Sequence, residues 1–340
     1  MSSIPRRRMK GRVWNLNFDR GRGVFMGKRG DLPSVCSASE PSGVLVVDKP
    51  EGITSHQAVA QVKSRLSLRK AGHCGTLDPF ATGVLLVCIN QATRISDQLQ
   101  IQDKAYRFVM HLGVETDTLD HTGRVVRTHA GEPCSPETLL RALERFRGVI
   151  TQKVPLFAAV KVNGDRLYKL ARKGLPVEVP PREVTVHELE LLEWLWPKAT
   201  LEVRCSKGTY VRQLAADIGT AAGCGAHLCQ LRRLASGPFH VDQAVPLQEI
   251  ASYGDGESPF RRMLTMNEAL GSLPEVRIED SSLLRAAYEG YLDPEWEAEQ
   301  RRRLSVTEGP VRLVDKRNCL VAMWWPWAEG KERRKLRVFK

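Results

Sequence analysis

The stretch AGHCGTLDPFATGVLLVC, residues 71–88, joins a turn-rich loop to an apolar strand. Its glycines and Pro79 mark tight turns, and unbroken apolar residues follow from position 84. Asp78 therefore lies on a loop of fixed shape at the edge of a buried strand. An aspartate before a proline often does no more than cap its own turn, so a chemical role for Asp78 needs support from the rest of the chain.

Length and composition limit the classes of protein to which the chain can belong. Its 340 residues are enough for a substantial core and suggest two domains. No stretch approaches the roughly 20 uninterrupted apolar residues of a membrane span, and the first residues contain no apolar segment of the signal-peptide type. These features predict a protein with no membrane association.

The charge of the chain predicts a polyanionic partner. There are 51 Lys and Arg residues against 39 Asp and Glu, which gives a net charge of +12, and a basic balance of this size favours nucleic acid. Much of the excess lies in residues 1–30. We interpret residues 1–40 as a basic, flexible N-terminal extension. An organelle transit peptide, or a true start at Met9 or Met26, are alternatives that the sequence leaves open.

The eight cysteines do not form a recognisable metal or disulfide framework. They include no C-x-x-C pair and are scattered through apolar and loop segments. Cys224, His227 and Cys229 form a partial zinc set without a fourth ligand at a usual spacing. We therefore expect no metal site and a reducing, cytoplasmic location.

Periodic patterns predict the main elements of the first half of the chain. Val44–Val47 is typical of a strand, and Thr54 or Ser55 is placed to cap the helix that follows. KAYRFVMHLG alternates, so that Tyr106 falls on the buried face of a strand. Ser135 caps a helix that begins at Pro136.

The second half contains an insertion, a helix and a β-rich end. The segment of about 155–188 is basic and punctuated by Gly and Pro, with a short amphipathic helix around 167–171, and we expect it outside the main core. A later helix is predicted to end at Gly219, with Tyr210 and Arg212 in its first turn. From about Ser272 short β-like pieces predict a small separate module that ends in a basic tail.

A single carboxylate used as a nucleophile needs to be ionised and aimed, which commonly requires an arginine and an apolar or aromatic pocket. Asp78, Tyr106, Arg212 and Leu231 lie in four separate segments suited to such a site. Spacing alone does not show that they converge. Taken singly, Tyr106 and Leu231 are typical of core residues, and Arg212 could equally pair with Asp217.

Five blocks, in order, resemble one family. GHCGTLDPFATGVLLV resembles the G-H-x-G-x-L-D-P-x-A-x-G-x-L motif of the TruB family of pseudouridine synthases. The other similar blocks are LVVDKPEGITSHQAVAQVK, KAYRFVMHLGVETDTLDHTG, VPLFAAVKVNGDRLYKLARKG, and SKGTYVRQLAADIG with GCGAHLCQLRRLASGPF. Together they cover about residues 43–240. The end of the chain resembles a PUA-type RNA-binding domain more loosely.

The resemblance implies a role for each residue that matches a family motif. It implies that Asp78 attacks the target uridine, that Tyr106 stacks on the base and takes part in proton transfer, and that Arg212 pairs with the catalytic carboxylate. It also implies that four residues bind the substrate: His73, Lys49, Tyr210 and Leu231. In the family the basic insertion forms a flap that grips RNA, which makes four residues candidates for backbone contacts: Lys161, Arg166, Arg172 and Lys173. Glu115, Asp117 and Asp120 could suggest a Mg²⁺ site, but the match to a family block favours a structural turn.

The resemblance also implies the fold and the reaction. The expected fold is α+β, a mixed, largely antiparallel central sheet with flanking helices and an inserted flap, in a catalytic domain of residues 41–271 followed by a PUA-like domain of residues 272–340. The expected reaction is conversion of the T-loop uridine of tRNA, conventionally position 55, to pseudouridine without any cofactor. The expected partner is the tRNA T-arm, with no obligatory protein partner. A guide-RNA-dependent synthase subunit and an RNA-binding helper of tRNA folding are alternatives.

Overall fold

The computed structural model describes residues 41–155, 157–158, 160–162, 165–167, 179–251, 259–305, 308–326 and 336–339. The basic N-terminal extension of residues 1–40 lies outside the described residues. So do Arg172 and Lys173 of the insertion and nearly all of its expected amphipathic helix. No helix in these ranges has the length and apolar character that a membrane crossing needs.

The strands and helices of the first 251 residues build one large sheet with helices around it. The strands are β1 (Gly43–Lys49), β2 (Ala71–Cys74), β3 (Thr82–Ile89), β4 (Lys104–Leu112), β5 (Val114–Thr116), β6 (Val125–Thr128), β7 (Gly148–Gln152), β8 (Lys161–Val162), β9 (Asp165–Arg166), β10 (Arg182–Leu195), β11 (Lys198–Cys205), β12 (Ala226–Ser236), β13 (Phe239–His240) and β14 (Val245–Pro246). The helices are α1 (Ser55–Arg65), α2 (Ser96–Gln100), α3 (Pro136–Glu144) and α4 (Val211–Ala221).

The large sheet has ten strands. Its order is β14-β1-β3-β12-β4-β11-β10-β7, with β2 paired to β3 and β13 paired to β12. The β1–β14 and β3–β12 pairs are parallel, and the others are antiparallel. This confirms the expected mixed, largely antiparallel sheet with flanking helices. β5 and β6 form a separate hairpin, as do β8 and β9.

The apolar pattern of the strands explains how the helices cover the sheet. On β1 and β3, alternate residues pack with α1 on one side and with α2 and the C-terminal segment on the other, so these strands read as continuous apolar runs. On β4 and β12, Tyr106, Phe108, Met110 and Leu231 face α3 and α4. Arg107 faces away and is exposed, so the alternation predicted for this strand is confirmed.

Two helix starts agree with the predictions, and one helix end does not. Thr54 caps α1 in a capping box with Gln57, and Ser135 caps α3 with Pro136 at its first position. The predicted end at Gly219 is wrong. α4 continues to Ala221. Gly219 does not end the helix but lets it pack closely on β12, since a Cβ at Gly219 would lie 2.4 Å from the Ala226 Cβ.

The boundary of the insertion also differs from the prediction. Residues 182–188 belong to the central sheet, where β10 pairs with both β7 and β11. Val184 and Val186 alternate toward the core, a short signal that the surrounding basic, Pro-rich sequence obscures. The inserted part therefore ends before Arg182.

The C-terminal segment is built from helices as well as strands. The strands are β15 (Glu275–Ile278), β16 (Val311–Asp315), β17 (Leu320–Trp324) and β18 (Leu336–Val338), and the helices are α5 (Met266–Ala269), α6 (Ser281–Glu289) and α7 (Pro294–Arg303). The sheet order is β15-β16-β17-β18, so part of the predicted basic tail is an edge strand. Asp280 and Asp293 cap α6 and α7, which the sequence patterns did not indicate.

One glycine allows the parallel β3–β12 contact and gives a test of the fold. Gly83 has φ +100°, and a Cβ there would lie 2.2 Å from the backbone oxygen of Arg233. We expect Gly83→Ala to lower the free energy of unfolding by at least about 3 kcal/mol, since strain and a backbone clash combine. Gly52 has φ +87° with open space around it. Gly52→Ala is therefore the matched control, with an expected loss of about 1 kcal/mol from strain. Equal losses in urea unfolding would contradict the clash.

Candidate active site

The structure brings the loop aspartate and the helix arginine into direct contact. Asp78 lies on the loop between β2 and β3, and Arg212 is the second residue of α4. The guanidinium donates from Nε to Asp78 Oδ2 at 2.9 Å and from Nη2 to Oδ1 at 3.1 Å. This bidentate geometry is the strongest that an arginine and a carboxylate adopt. The alternative pairing with Asp217 is excluded, because Asp217 accepts a hydrogen bond from Gln213.

The guanidinium of Arg212 has further partners besides Asp78. It also donates from Nη1 to the Thr118 carbonyl and from Nη2 to the Phe157 carbonyl, each at 3.2 Å, and Asp120 Oδ2 lies 3.7 Å from Nη1. The side chain of Arg212 is 6 % exposed, whereas that of Asp78 is 32 % exposed. The arginine is therefore fixed in the protein, and the carboxylate opens toward solvent.

Asp120 belongs to a tight turn that its own carboxylate shapes. Its Oδ1 accepts from the Thr118 hydroxyl at 2.8 Å and from the Thr122 amide at 3.0 Å. The neighbouring Glu115 and Asp117 pair with Arg127 and Arg124 respectively. These contacts agree with the turn interpretation of the acidic residues.

The environment of Asp78 contains opposing influences on its pKa. Burial raises the pKa of Asp78 above its ordinary value, and the nearby Asp120 carboxylate acts in the same direction. The Arg212 charge and hydrogen bonds act against them, as does Lys49. Arg212 is thus the main group that keeps this carboxylate available as an anion.

Asp78 and Arg212 open onto a cavity of about 830 Å³. Tyr106, Tyr210 and Leu231 also line it, so five of the residues singled out in the sequence meet at one site. Tyr106 lies on β4 and Leu231 on the adjacent β12. Tyr210 precedes α4 as its N-terminal capping residue rather than lying in the first turn. The cavity wall combines carboxylates, cationic groups and aromatic and apolar side chains.

Lys49 and His73 take other positions. Lys49 is fully buried, and its ammonium donates to the carbonyls of Pro50, Ile53 and Pro79 at 2.8, 2.7 and 3.2 Å. Burial lowers the pKa of Lys49 to about 8. The ammonium therefore supports the loop through three backbone oxygens, and the expected contact of Lys49 with substrate stays a prediction. His73 lies on β2 opposite Val87 and is not among the described residues that line the cavity.

The backbone-binding candidates are described only in part. Lys161 and Arg166 are paired with each other in the β8–β9 hairpin, and nothing is described of their side chains. Two other basic residues line the cavity, Arg182 and Lys207. Arg182 lies over the ring of Tyr210, with 5.3 Å from its guanidinium carbon to the ring centroid. Sequence reasoning singled out neither: Arg182 lies within the basic insertion of about 155–188 but outside the basic run around its expected helix, and Lys207 lies in the turn before α4.

Two further basic residues of the cavity wall were also missed. Arg233 is 1 % exposed, and Lys104 is 5 % exposed. Lys104 donates to the carbonyls of Gln100 and Gln102, and burial lowers its pKa to about 8. Arg233 is the second arginine of LRRL, a pair that sequence alone does not assign to opposite faces of a strand. The β12 pattern of buried and exposed residues would have been the signal.

The partial zinc set does not come together as a metal site. His227 Nδ1 is bonded to the Val114 carbonyl at 2.9 Å, and its ring stacks on that of His111. Cys229 Sγ lies 3.6 Å from His227 Nε2, whereas Cys224 contacts the Gly219 carbonyl. Among the described residues, no group of three His, Cys, Asp or Glu side chains is arranged to hold a metal ion.

Comparison with known proteins defines the class. Residues 63–211 match the model of the TruB family pseudouridylate synthase N-terminal domain, and residues 212–270 match that of the tRNA pseudouridylate synthase B C-terminal domain. The chain is thus one of the pseudouridylate synthases. A tRNA pseudouridine synthase B of Syntrophobacter fumaroxidans is 54 % identical over 88 % of this chain and 98 % of its own. One of Symbiobacterium thermophilum is 46 % identical over 74 % of this chain and 83 % of its own. The protein belongs to the TruB family.

Solved structures share the architecture. A chain of a Cbf5–Nop10–Gar1 complex superposes with a TM-score of 0.65 at 29 % identity, over 88 % of this chain and 84 % of that one. A chain of an H/ACA ribonucleoprotein bound to a substrate RNA containing 2′-deoxyuridine gives 0.64 at 28 % identity, with the same coverage. The fold is therefore shared with chains of these two complexes.

Proposed function

We propose that the protein isomerises uridine to pseudouridine in tRNA, at the T-loop uridine conventionally numbered 55. The observation that carries the proposal is the bidentate Asp78–Arg212 pair at the wall of a cavity that also contains Tyr106 and Leu231. Relatives named tRNA pseudouridine synthase B, at up to 54 % identity, support the same substrate class. In this role Asp78 is the nucleophile.

The isomerisation needs no external reactant. The bond between N1 of the base and C1′ of the ribose breaks, a bond between C5 and C1′ forms, C5 releases its proton and N1 gains one. Atoms and electrons balance without water, oxidant or reductant. The reaction therefore requires a nucleophile, a group that accepts the C5 proton, and a cavity in which the detached base can rotate.

The cavity suits a base that has been removed from its stack. An enzyme that acts on a base within folded RNA has to flip it out, at a cost of a few kcal/mol, and to bind it against aromatic and apolar side chains. Tyr106 and Leu231, which are 9 % and 7 % exposed, offer such surfaces beside Asp78. The volume of about 830 Å³ leaves room for the nucleotide and its rotation.

Basic residues at the cavity are proposed to bind the RNA backbone. Lys207 is exposed, and Arg182 holds its guanidinium over Tyr210. We expect Lys207→Ala to weaken binding of tRNA and to lower the slope of log affinity against log salt by about 1, because one phosphate contact is lost. Arg141→Ala, at an exposed position on α3, is the control and should leave the slope unchanged. Filter binding of tRNA between about 50 and 200 mM salt measures the affinity and the salt slope of each variant. Affinities that depend on phosphate contacts change strongly over this range.

We assign residues 41–271 to the synthase domain and residues 272–340 to a PUA-like RNA-binding domain, and we place the activity in the cytoplasm. The second domain has its own four-stranded sheet and its own apolar cluster around Trp324. It is joined to the first by Leu320, Met323 and Phe339, which pack in one cluster with Val84 and Leu86. An ion pair between Arg337 and Asp97 adds to this contact.

The deciding experiment uses purified protein, without partner proteins or guide RNA. A tRNA transcript labelled with [5-³H]uridine is incubated with EDTA present, and tritium released to water is counted. We expect release from one uridine per tRNA, and none when the T-loop uridine is replaced by cytidine. Tight tRNA binding without release would overturn the proposal in favour of a guide-dependent subunit or a folding helper. Tritium release from a transcript in which the T-loop uridine is replaced by cytidine would overturn the assignment of the reaction to that uridine.

A further inference from the structure

Arg233 is a buried cation next to the site that the reaction scheme above leaves without a role. It lies on β12 and is 1 % exposed. In the antiparallel pairing of β12 with β4, Arg233 stands directly opposite Tyr106. Residues opposite each other in such a pair project to the same face of the sheet. Both side chains line the cavity that contains Asp78.

The guanidinium of Arg233 is fixed by two backbone carbonyls. Its Nε donates to the Val84 carbonyl at 2.6 Å, and its Nη2 donates to the Gly75 carbonyl at 3.1 Å. Gly75 precedes Asp78 on the same loop. A guanidinium has five N–H groups, so three of them remain for other acceptors at the cavity wall. Arg233 is thus anchored to the loop and still has donors for its neighbours.

The charge of Arg233 is not explained by an ion pair. Among the described residues, no carboxylate oxygen lies within 4 Å of its guanidinium, although other arginines nearby have such partners. Burial lowers the pKa values of the neighbouring Lys49 and Lys104, and the charge of Arg233 lowers them further. A buried unpaired cation is costly, and a neutral amide could hold two carbonyls. A cation in this position is suited to an anion that forms during the reaction.

Tyr106 is the group on which such an anion would form. Burial raises the pKa of the Tyr106 phenol, and the Asp78 carboxylate and Cys205 act in the same direction. Arg233 is the neighbour that lowers it, by its charge. Arg233 therefore stands opposite a phenol whose negative charge burial, Asp78 and Cys205 all disfavour.

We propose, on the basis of the function proposed above, that Arg233 is a positioning residue that orients the Tyr106 phenol and stabilises its phenolate. The phenolate takes the proton from C5 after the C5–C1′ bond has formed. The C–H electron pair becomes the C5=C6 double bond while the pair of the C6=N1 double bond moves to N1, which takes a proton from water, and the phenol then returns the C5 proton to water. Arg233 also links this step to the nucleophile, because the same guanidinium holds Gly75 of the Asp78 loop.

The test is a double-variant cycle that separates action through Tyr106 from support of the loop. Single-turnover rates are measured on tRNA transcripts with hydrogen or deuterium at C5, for wild type, Arg233→Gln, Tyr106→Phe and the double variant. We expect Arg233→Gln to slow turnover on the order of 100-fold, the usual scale of a general-base contribution. We also expect its deuterium isotope effect to exceed that of wild type, because proton removal becomes rate-limiting. The double variant should be no slower than Tyr106→Phe by more than about threefold.

One control variant and two contrary outcomes keep the interpretations distinct. Arg233→Lys keeps the positive charge and replaces Arg233→Gln in the cycle if Arg233→Gln does not fold. In the Tyr106→Phe background, Arg233→Lys should likewise slow turnover by no more than about threefold. A purely structural role would give multiplicative losses in the double variant and an unchanged isotope effect, and this result overturns the inference. Absence of turnover in the wild-type protein would instead overturn the proposed function itself. The rate of Arg233→Gln should also recover in part as pH rises, because the pKa of Tyr106 is higher in that variant.

Discussion

Asp78→Asn is expected to reduce tritium release from labelled tRNA by at least about 1,000-fold, the scale on which loss of a nucleophile acts. The variant should still bind tRNA, since the change removes a reacting group and leaves the cavity and its basic rim in place. It should also fold. The asparagine oxygen can still accept from Arg212, and Asp120 remains 3.7 Å from the same guanidinium.

Asp217→Asn is the matched control for this prediction. Asp217 is a partly buried carboxylate on the same helix as Arg212, and burial raises its pKa as burial raises that of Asp78. It accepts a hydrogen bond from Gln213 at 2.7 Å, which an asparagine oxygen can also accept. The control should therefore retain turnover within a few-fold. Turnover by Asp78→Asn at a similar level to this control would exclude Asp78 as the nucleophile.

The sequence predicted the local structure around each site residue better than it predicted which residues lie next to one another in the fold. Turn residues around Asp78 and the alternation around Tyr106 are local signals, and both agree with the structure. Convergence of Asp78, Tyr106, Arg212 and Leu231 depends on the order of strands in the sheet, which no local pattern contains. The family resemblance supplied it, because the conserved spacing of whole motifs stands in for the missing tertiary information.

The burial of two basic side chains near the site was not predicted from the sequence. Lys49 was expected to contact substrate, but it is fully buried against three carbonyls. Arg233 was not singled out at all. Buried lysines and arginines are rare, so residue type alone favours an exposed position for both. Once the segment is assigned to a strand, alternation puts the two arginines of LRRL on opposite faces, and the structure pairs Arg232 with Asp48 and sets Arg233 opposite Tyr106.

Arg212→Met should have the second large effect, on activity, on its pH dependence and on stability together. Arg212 is the main group that lowers the pKa of Asp78. Without it, that pKa rises further, and the acid limb of kcat/KM moves to higher pH. We also expect turnover at neutral pH to fall by at least about 100-fold, since an ionised nucleophile becomes scarce and is no longer aimed. A pH–rate profile between pH 5 and 9, compared with wild type, measures both effects. An unmoved acid limb would show that another group sets the ionisation of Asp78.

The stability of Arg212→Met should depend on pH in a direction that identifies its cause. Removing one partner of a buried ion pair costs about 3–5 kcal/mol, here because Asp78 and Asp120 then lose the guanidinium that lies between them. A carboxyl group whose pKa is raised in the folded state destabilises that state when ionised. The deficit is therefore largest at neutral pH and shrinks as pH falls through the raised pKa.

Two further variants separate that electrostatic cause from loss of packing. Arg232 is the ion-pair partner of Asp48, and the side chain of Arg232 is 40 % exposed. Arg232→Met should therefore lower the free energy of unfolding by no more than about 1 kcal/mol. Adding Asp78→Asn to Arg212→Met removes one of the two repelling carboxylates, and should restore part of the stability but none of the turnover. Recovery of stability without activity would mean that the buried pair serves the reaction at the expense of the fold. A deficit that stays constant with pH and in the double variant would instead assign the loss to packing of the arginine side chain.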